Sequence, residues 1–394
     1  MDRIYYFDNA ATTKVSPEVV EAISKYYSEE YFNPSSIYKP AQRCKDAVEN
    51  ARAEAAAAFN ADKNEIYFTS GGSEADNWAI KGITNAYKNK GKHIITSCIE
   101  HHAVLHTCEY LESEGFEVTY LPVDGEGLIS LEDLKAAIRP DTILISIMFA
   151  NNEIGTIQPI AEIGKIAKEN NIIFHTDAVQ AAGHVPIDVK ALNIDLMSIS
   201  GHKLYAPKGV GALYIRKGIK IKNLIHGGQQ ERGRRATTEN VPGIIGLGKA
   251  LTDAVAHLEE ETKRQTKLRD KLIDGILSTI PYSRLNGSRD KRLPGNVNIS
   301  FEFIEGESIL LLLDMNGICG SSGSACTSGS LDPSHVLLAI GLPHEKAHGS
   351  LRLSLGRFNT EEEVDYVLEK LPPIIERLRA MSPLYEEFLK NKKA

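Results

Sequence analysis

The sequence predicts an α/β fold: a mostly parallel sheet covered by helices on both faces, joined to a smaller α+β unit. Three observations carry that prediction. Short β-rich runs alternate with helical stretches from about residue 60. The alternation stops near residues 220–245, in a polar segment rich in Gly and Arg, and a different pattern follows. The composition, 42% hydrophobic and 25% charged over 394 residues, is that of a chain able to bury a large core.

The elements follow in order. EIYFTS (65–70) reads as a strand, and after Gly71-Gly72 the run SEADNWAIKGITNAYKNKG reads as a helix. HIITS (93–97) is a second strand, and HHAVLHTCEYLESEG after it is an amphipathic helix. FEVTYL, TILISIMF, NIIFHTDA and DLMSISGHK continue the strand series, with helical LEDLKAAI and IAEIGKIAKEN between them. In such sheets ligands sit at the carboxyl ends of the strands. Beyond HGGQQERGRRATTENVPG, a long charged helix is expected over AVAHLEEETKRQTKLRDKLIDGILSTI, with Leu258, Leu268, Leu272 and Ile276 inward. VNISF, helical SILLLLDMNG, HGSLRLSL and the helix TEEEVDYVLEKLPPIIERLRAM then make the smaller unit. The closing SPLYEEFLKNKKA reads either as a partner-binding element or as a frayed polar end.

Composition excludes several classes of function. The 45 Lys+Arg against 52 Asp+Glu give a net charge of −7, without the basic clustering that nucleic acid requires. No apolar run approaches the roughly 18–20 residues of a membrane helix, and the opening MDRIYYFDNAATT lacks the look of a signal segment. A cytoplasmic protein is expected. The five cysteines, at 44, 98, 108, 319 and 326, are odd in number and widely spread, which fits reduced thiols of which one could react.

Lys203, in SISGHKLYAPKG directly after a strand, stands where a fold can hold an amine in a partly desolvated cleft for Schiff-base chemistry; a lysine snorkelling from a strand end is the plainer alternative. Asp177 ends the strand NIIFHTDA, where a carboxylate can face a pyridine nitrogen and make pyridoxal phosphate an electron sink, or simply cap a helix. Gln180 could donate to the ring oxygen of that cofactor or act as a second cap. Gly71-Gly72-Ser73 between strand and helix suits a phosphate cradle, although Ser73-x-x-Asp76 also fits a capping box. Cys98, His101, His102, His106 and Cys108 lack the pair spacing of a zinc site, so no metal is expected; one histidine stacked on a planar cofactor fits better, leaving the others as ordinary helix residues. Around Cys326, six of the eight nearest residues are Gly or Ser, the composition of a tether for a reactive thiol or of an incidental surface loop. Cys319 reads as a resolving thiol or a small packing residue. Arg352, alternating with apolar residues in HGSLRLSLGR, reads as a carboxylate-binding fork or one half of an ion pair.

Together the motifs resemble the cysteine desulfurases of the nitrogen-fixation and iron–sulfur-cluster type, a branch of the class V aminotransferase-like enzymes. The likeness rests on FDNAATT (7–13), NPSS (33–36), TSGGSEADN (69–77), EHHAVL (100–105), NNEIG (151–155), DAVQ (177–180), SGHK (200–203), QERGRRATTEN (230–240), SSGSACTSGSLDPSHVL (321–337) and LRLSLGR (351–357). The resemblance implies fold type I of the pyridoxal-phosphate-dependent transferases, the aspartate aminotransferase-like fold with a seven-stranded sheet. It implies a large domain over 15–258, and a small one from 1–14 and 259–394 that carries the cysteine loop at about 319–335. It implies that Lys203 binds the cofactor, Asp177 pairs with the ring nitrogen, and His101 stacks on the ring and shuttles protons. Gln180 and Asn152 would lie near the ring hydroxyl and the substrate, and Gly72, Ser73, Ser200 and His202 around the phosphate. Thr238 would reach the neighbouring subunit's phosphate in a homodimer, Arg352 would bind the substrate carboxylate, and Cys326 would accept sulfur. The reaction implied is L-cysteine to L-alanine, with a persulfide passed to an iron–sulfur scaffold or another acceptor. Ser73 stands where Thr is common, Thr237 where Gly is frequent, and Leu351 and Leu353 where Ile and Phe are usual. A thiol-free enzyme of the same fold and a non-catalytic scaffold are the competing readings.

Overall fold

The computed structural model describes residues 3–322 and 333–393. Twelve strands are present among them: β1 Tyr5–Tyr6, β2 Ile66–Thr69, β3 His93–Ser97, β4 Glu117–Leu121, β5 Thr142–Ser146, β6 Ile173–Asp177, β7 Leu196–Ser200, β8 Gly211–Ile215, β9 Ser283–Leu285, β10 Asn296–Phe301, β11 Ile318–Cys319 and β12 Ser350–Ser354. The main sheet has seven strands in the order β2-β8-β7-β6-β5-β3-β4. It is parallel except for β8, which runs antiparallel to both neighbours. Every residue of β5, β6 and β7 is buried, because helices cover both faces of the sheet. One face packs a cluster including Phe68, Ile145, Phe174 and Met197, and the other packs Trp78, Ile80, Ile83 and Leu144. This is the doubly covered α/β architecture expected from the alternation, and it agrees with a fold type I enzyme. The seventh strand, GALYI of β8, was not among the expected runs.

A three-stranded antiparallel sheet, β12-β10-β9, lies under the helices Leu258–Thr279 and Glu361–Ala380. Its core gathers Leu272, Ile273, Phe301, Leu353 and Leu371 together with Phe7 from the start of the chain. The parallel pair β1 and β11 fastens that start to residues 318–319. The expected long helix from 254 is two helices, Val241–Ala256 and Leu258–Thr279. His257 breaks it (φ −112°, ψ 9°), and its ring Nδ1 takes the Asp253 carbonyl, so side chain and backbone compete for one acceptor. Leu268, Leu272 and Ile276 are buried as expected, whereas Leu258, at the new helix start, is only half-buried. The tail is not a frayed end: Pro383–Lys393 is helical, and Tyr385 and Phe388 pack on Tyr282 and Phe303.

Candidate active site

Parallel strand order reverses between β3 and β5, so their loops diverge and leave a cleft at the carboxyl ends. A cavity of about 450 Å³ opens there. It takes Gly72, Ser73 and Asp76 from the segment after β2, Glu100, His101 and His102 after β3, and Asn152 and Glu153 after β5. Asp177 and Gln180 come from the end of β6, Ser200, His202 and Lys203 from the end of β7, and Arg352 from β12. Ten of the residues expected in the site are thus brought together from segments at or near strand ends that lie far apart in sequence.

The helix Gly72–Tyr87 begins at the cavity, so its first N–H groups and its dipole face inward. A Cβ on Gly72 would lie 2.7 Å from Val179 Cγ2, so only glycine lets the turn approach this closely. Gly211 at the start of β8 makes the same concession, since a Cβ there would meet Ile199 O at 2.5 Å and Gly71 Cα at 2.7 Å. The capping-box alternative does not hold: Gly71 caps the helix without a side-chain bond, Glu74 reaches back to Ser70 N, and Asp76 turns into the core at 1% exposure.

Lys203 Nζ donates to the carbonyls of Ala10 and Ala11, each at 2.7 Å. Gln180 Nε2 donates to Ala10 O, and His202 Nδ1 meets Thr12 Oγ1. Asp177 is not a helix cap, because turns follow it, although its Oδ1 accepts from Val179 N. Burial lifts its pKa to about 6, against the pull of that backbone bond and of Lys203. His101 caps the helix His102–Ser113, with Nδ1 accepting from Ala103 N. The ring proton therefore sits on Nε2. Burial first, then the Lys203 charge, lowers its pKa to about 4, so it is neutral near pH 7.

Three acids that sequence reasoning missed line the same cavity. Asp76 is pushed well above the carboxylate range by burial and by Asp177, and its Oδ1 has no hydrogen-bond partner. Glu100 is raised by burial to about 8, with Oε1 bonded to Ser97 Oγ and Met148 N and Oε2 unpartnered. Glu153 accepts from Ser334 Oγ and is raised by burial. No spacing rule marks these acids, because only burial makes them unusual. His102 is not an ordinary helix residue either: its ring lies 5.0 Å from His106 and 4.9 Å from His335, and both His102 and His335 reach the cavity.

Arg352 is 2% exposed. Its Nη1 donates to Asn152 O, its Nη2 to Asp8 Oδ1 at 2.9 Å, and its Nε is buried without a partner among the described residues. It therefore sits at the cleft and is also half of an ion pair. Thr238 is not among the residues lining this cavity; it lines a separate recess with Ser70, Arg235 and Thr237. Thr237, at the position often held by Gly, has φ 115°, a conformation that favours glycine. Cys326 lies outside the described residues. Cys319 forms the edge pair with Tyr6, half-buried, and its thiol is raised by burial.

The cavity suits a planar aldehyde phosphate. It offers an amine on a strand end, a buried carboxylate across from it, a glycine-lined helix start, and the unpartnered Asp76 Oδ1 and Arg352 Nε. The aminotransferase class-V profile matches residues 5–367. Cysteine desulfurase IscS of Clostridium botulinum (strain Hall) is 64% identical over 394 residues, covering 100% of this chain and 99% of that protein. Cysteine desulfurase IscS of Methanosarcina thermophila is 66% identical over 383 residues, covering 97% and 95% respectively. A solved NifS-like protein superposes with TM-score 0.90 at 41% identity, covering 95% of this chain and all of that one. The chain belongs to the aminotransferase class-V family, in its cysteine desulfurase branch. It is an enzyme of a pyridoxal-phosphate-dependent family. No helix among the described residues is long and apolar enough to cross a membrane.

Proposed function

We propose that the chain converts L-cysteine to L-alanine and takes the sulfur onto Cys326 as a persulfide for delivery to an acceptor protein. The observation that carries this reading is the convergence of Lys203, Asp177, His101 and Arg352 on one cavity at the strand ends. The cofactor supplies an electron-poor ring that stabilises negative charge developing at the substrate α-carbon. Lys203 holds it and moves the α-proton. Asp177, ionised above about pH 6, keeps the ring nitrogen protonated. Neutral His101 would stack on the ring, with its Nε2 proton available for transfer. Gly72, Ser73, Ser200 and His202 would hold the phosphate, and Gln180 and Asn152 would lie by the ring hydroxyl and the substrate. Arg352 binds the substrate carboxylate through its planar fork.

The Cys326 thiolate attacks the substrate sulfur. The S–S bond forms as the carbon–sulfur bond breaks and its electron pair stays on the β-carbon; a proton delivered to that carbon and return of the α-proton to the α-carbon complete alanine. Thr238 serves the partner's cavity in a homodimer, a reading supported by its place in a recess away from its own cavity. We assign residues 15–258 to a large domain, and 1–14 with 259–394 to a small one. The separate apolar core that joins Phe7 to residues beyond 268 supports this division. A cytoplasmic sulfur donor for iron–sulfur assembly fits the reading.

The test incubates the holoenzyme with L-cysteine, measures alanine, and maps the persulfide by mass spectrometry. Cys326→Ser should keep the cofactor's visible absorbance and lose sulfur transfer. Unchanged sulfur release from that variant would sink the proposal in favour of a thiol-free enzyme of the same fold.

A further inference from the structure

One short segment, residues 8–11, occupies both cationic side chains of the cavity. The Ala10 and Ala11 carbonyls take Lys203 Nζ, and the Asp8 carboxylate takes Arg352 Nη2. The segment is anchored from outside the cavity: Asp8 bridges Ser354, Phe7 N donates to Cys319 O, and Ala10 N donates to Ser354 Oγ. Asp8 is therefore fixed in place beside the guanidinium. Arg352 is 2% exposed, Nη1 is spent on Asn152 O, and the unpartnered Nε lies on the edge next to Nη2. A carboxylate ligand seeking a bidentate grip has the Nε–Nη2 edge to use, and Nη2 already carries Asp8. Two carboxylates sharing one buried guanidinium repel each other with little water between them.

We infer that Asp8 is a specificity residue, an internal carboxylate that competes with the α-carboxylate of substrate and product for Arg352. Asp8 holds the guanidinium oriented and neutralised between turnovers. It weakens the grip on any amino-acid carboxylate, so that alanine leaves. Ligands without a carboxylate do not feel this competition. The inference rests on the assignment of Arg352 to the substrate carboxylate, and the experiment separates the two.

L-Alanine and cysteamine, which lacks the carboxylate, are titrated into the holoenzyme by calorimetry, with steady-state L-cysteine turnover alongside. Asp8→Asn should bind L-alanine roughly tenfold more tightly and lower KM for L-cysteine more than it changes kcat. Cysteamine affinity should stay within about twofold. Asp8→Glu, which keeps the charge, should bind L-alanine as weakly as the parent protein. Should the asparagine variant not fold, Asp8→Ser carries the same expectation. Unchanged or weaker L-alanine binding in the neutral variants, or equal shifts for both ligands, would overturn the competition. Arg352→Gln reports on the underlying assignment: it should lose L-alanine affinity, and if it does not, the carboxylate site lies elsewhere.

Discussion

Replacing Glu100 by glutamine should remove a pH-dependent weakness in the fold. The Glu100 carboxyl is fully buried, and burial is the main cause that lifts its pKa from 4.5 to about 8, against the bonds from Ser97 and Met148 N. In the unfolded chain the same group loses its proton near 4.5. Stability is therefore full below that value and is lost as pH rises towards the folded value, because only the unfolded state releases a proton in that window. Each fully titrating pH unit is worth about 1.4 kcal/mol and both ends of the window titrate only in part, so wild type loses about 3.5 kcal/mol through this group between pH 5 and pH 8. Glutamine keeps the carbonyl acceptor for both donors and cannot ionise. Its extra amide hydrogens add a cost, but the same cost at both pH values. Urea unfolding of both proteins at pH 5 and pH 8 should show the variant gaining about 3.5 kcal/mol on wild type at the higher pH. A difference between the proteins that does not vary with pH would refute the reasoning.

Other outcomes are equally open to measurement. Gly72→Ala places a methyl 2.7 Å from Val179 Cγ2, and cofactor titration of the apo-protein should show affinity lowered roughly tenfold. Arg352→Lys keeps the charge and loses the planar fork, and should raise KM for L-cysteine by roughly tenfold or more with kcat less affected. Thr237→Gly relieves a residue held at φ 115° and should stabilise the protein by about 1 kcal/mol in chemical denaturation. Cofactor capture by the apo-protein should weaken as pH falls through about 6, where Asp177 takes up its proton, and Asp177→Asn should flatten that dependence.

The strands that carry the site were legible because β-rich runs and helical stretches alternate at a regular rhythm along the large sheet. β8 was not, since GALYI sits among glycines and returns antiparallel without a helix of its own before it. β1, β9 and β11 are two or three residues long and exist only through their partners. The break at His257 depends on one side chain capturing one carbonyl, which helical periodicity does not register. In the site, Lys203, Asp177 and the glycine pair stood out because their chemistry shows in position along a strand. Asp76 and Glu100 look like ordinary helix and turn acids until the fold removes their water. Asp8 is hidden for the same kind of reason, since its partner lies 344 residues away.

That separation has a consequence for how the enzyme comes to exist in the cell. Residues 8–11 are made long before their anchor, since Asn9 is held by Ser354, 345 residues later in the chain. At roughly 5–20 residues per second, translation leaves the opening segment without its neighbours for tens of seconds. The seven-stranded sheet, complete at β8, has all its strands synthesised long before β12 brings Arg352 to the cleft. The nascent protein therefore passes through a stage in which every strand of the large sheet exists without Arg352, the residue proposed to grip the substrate.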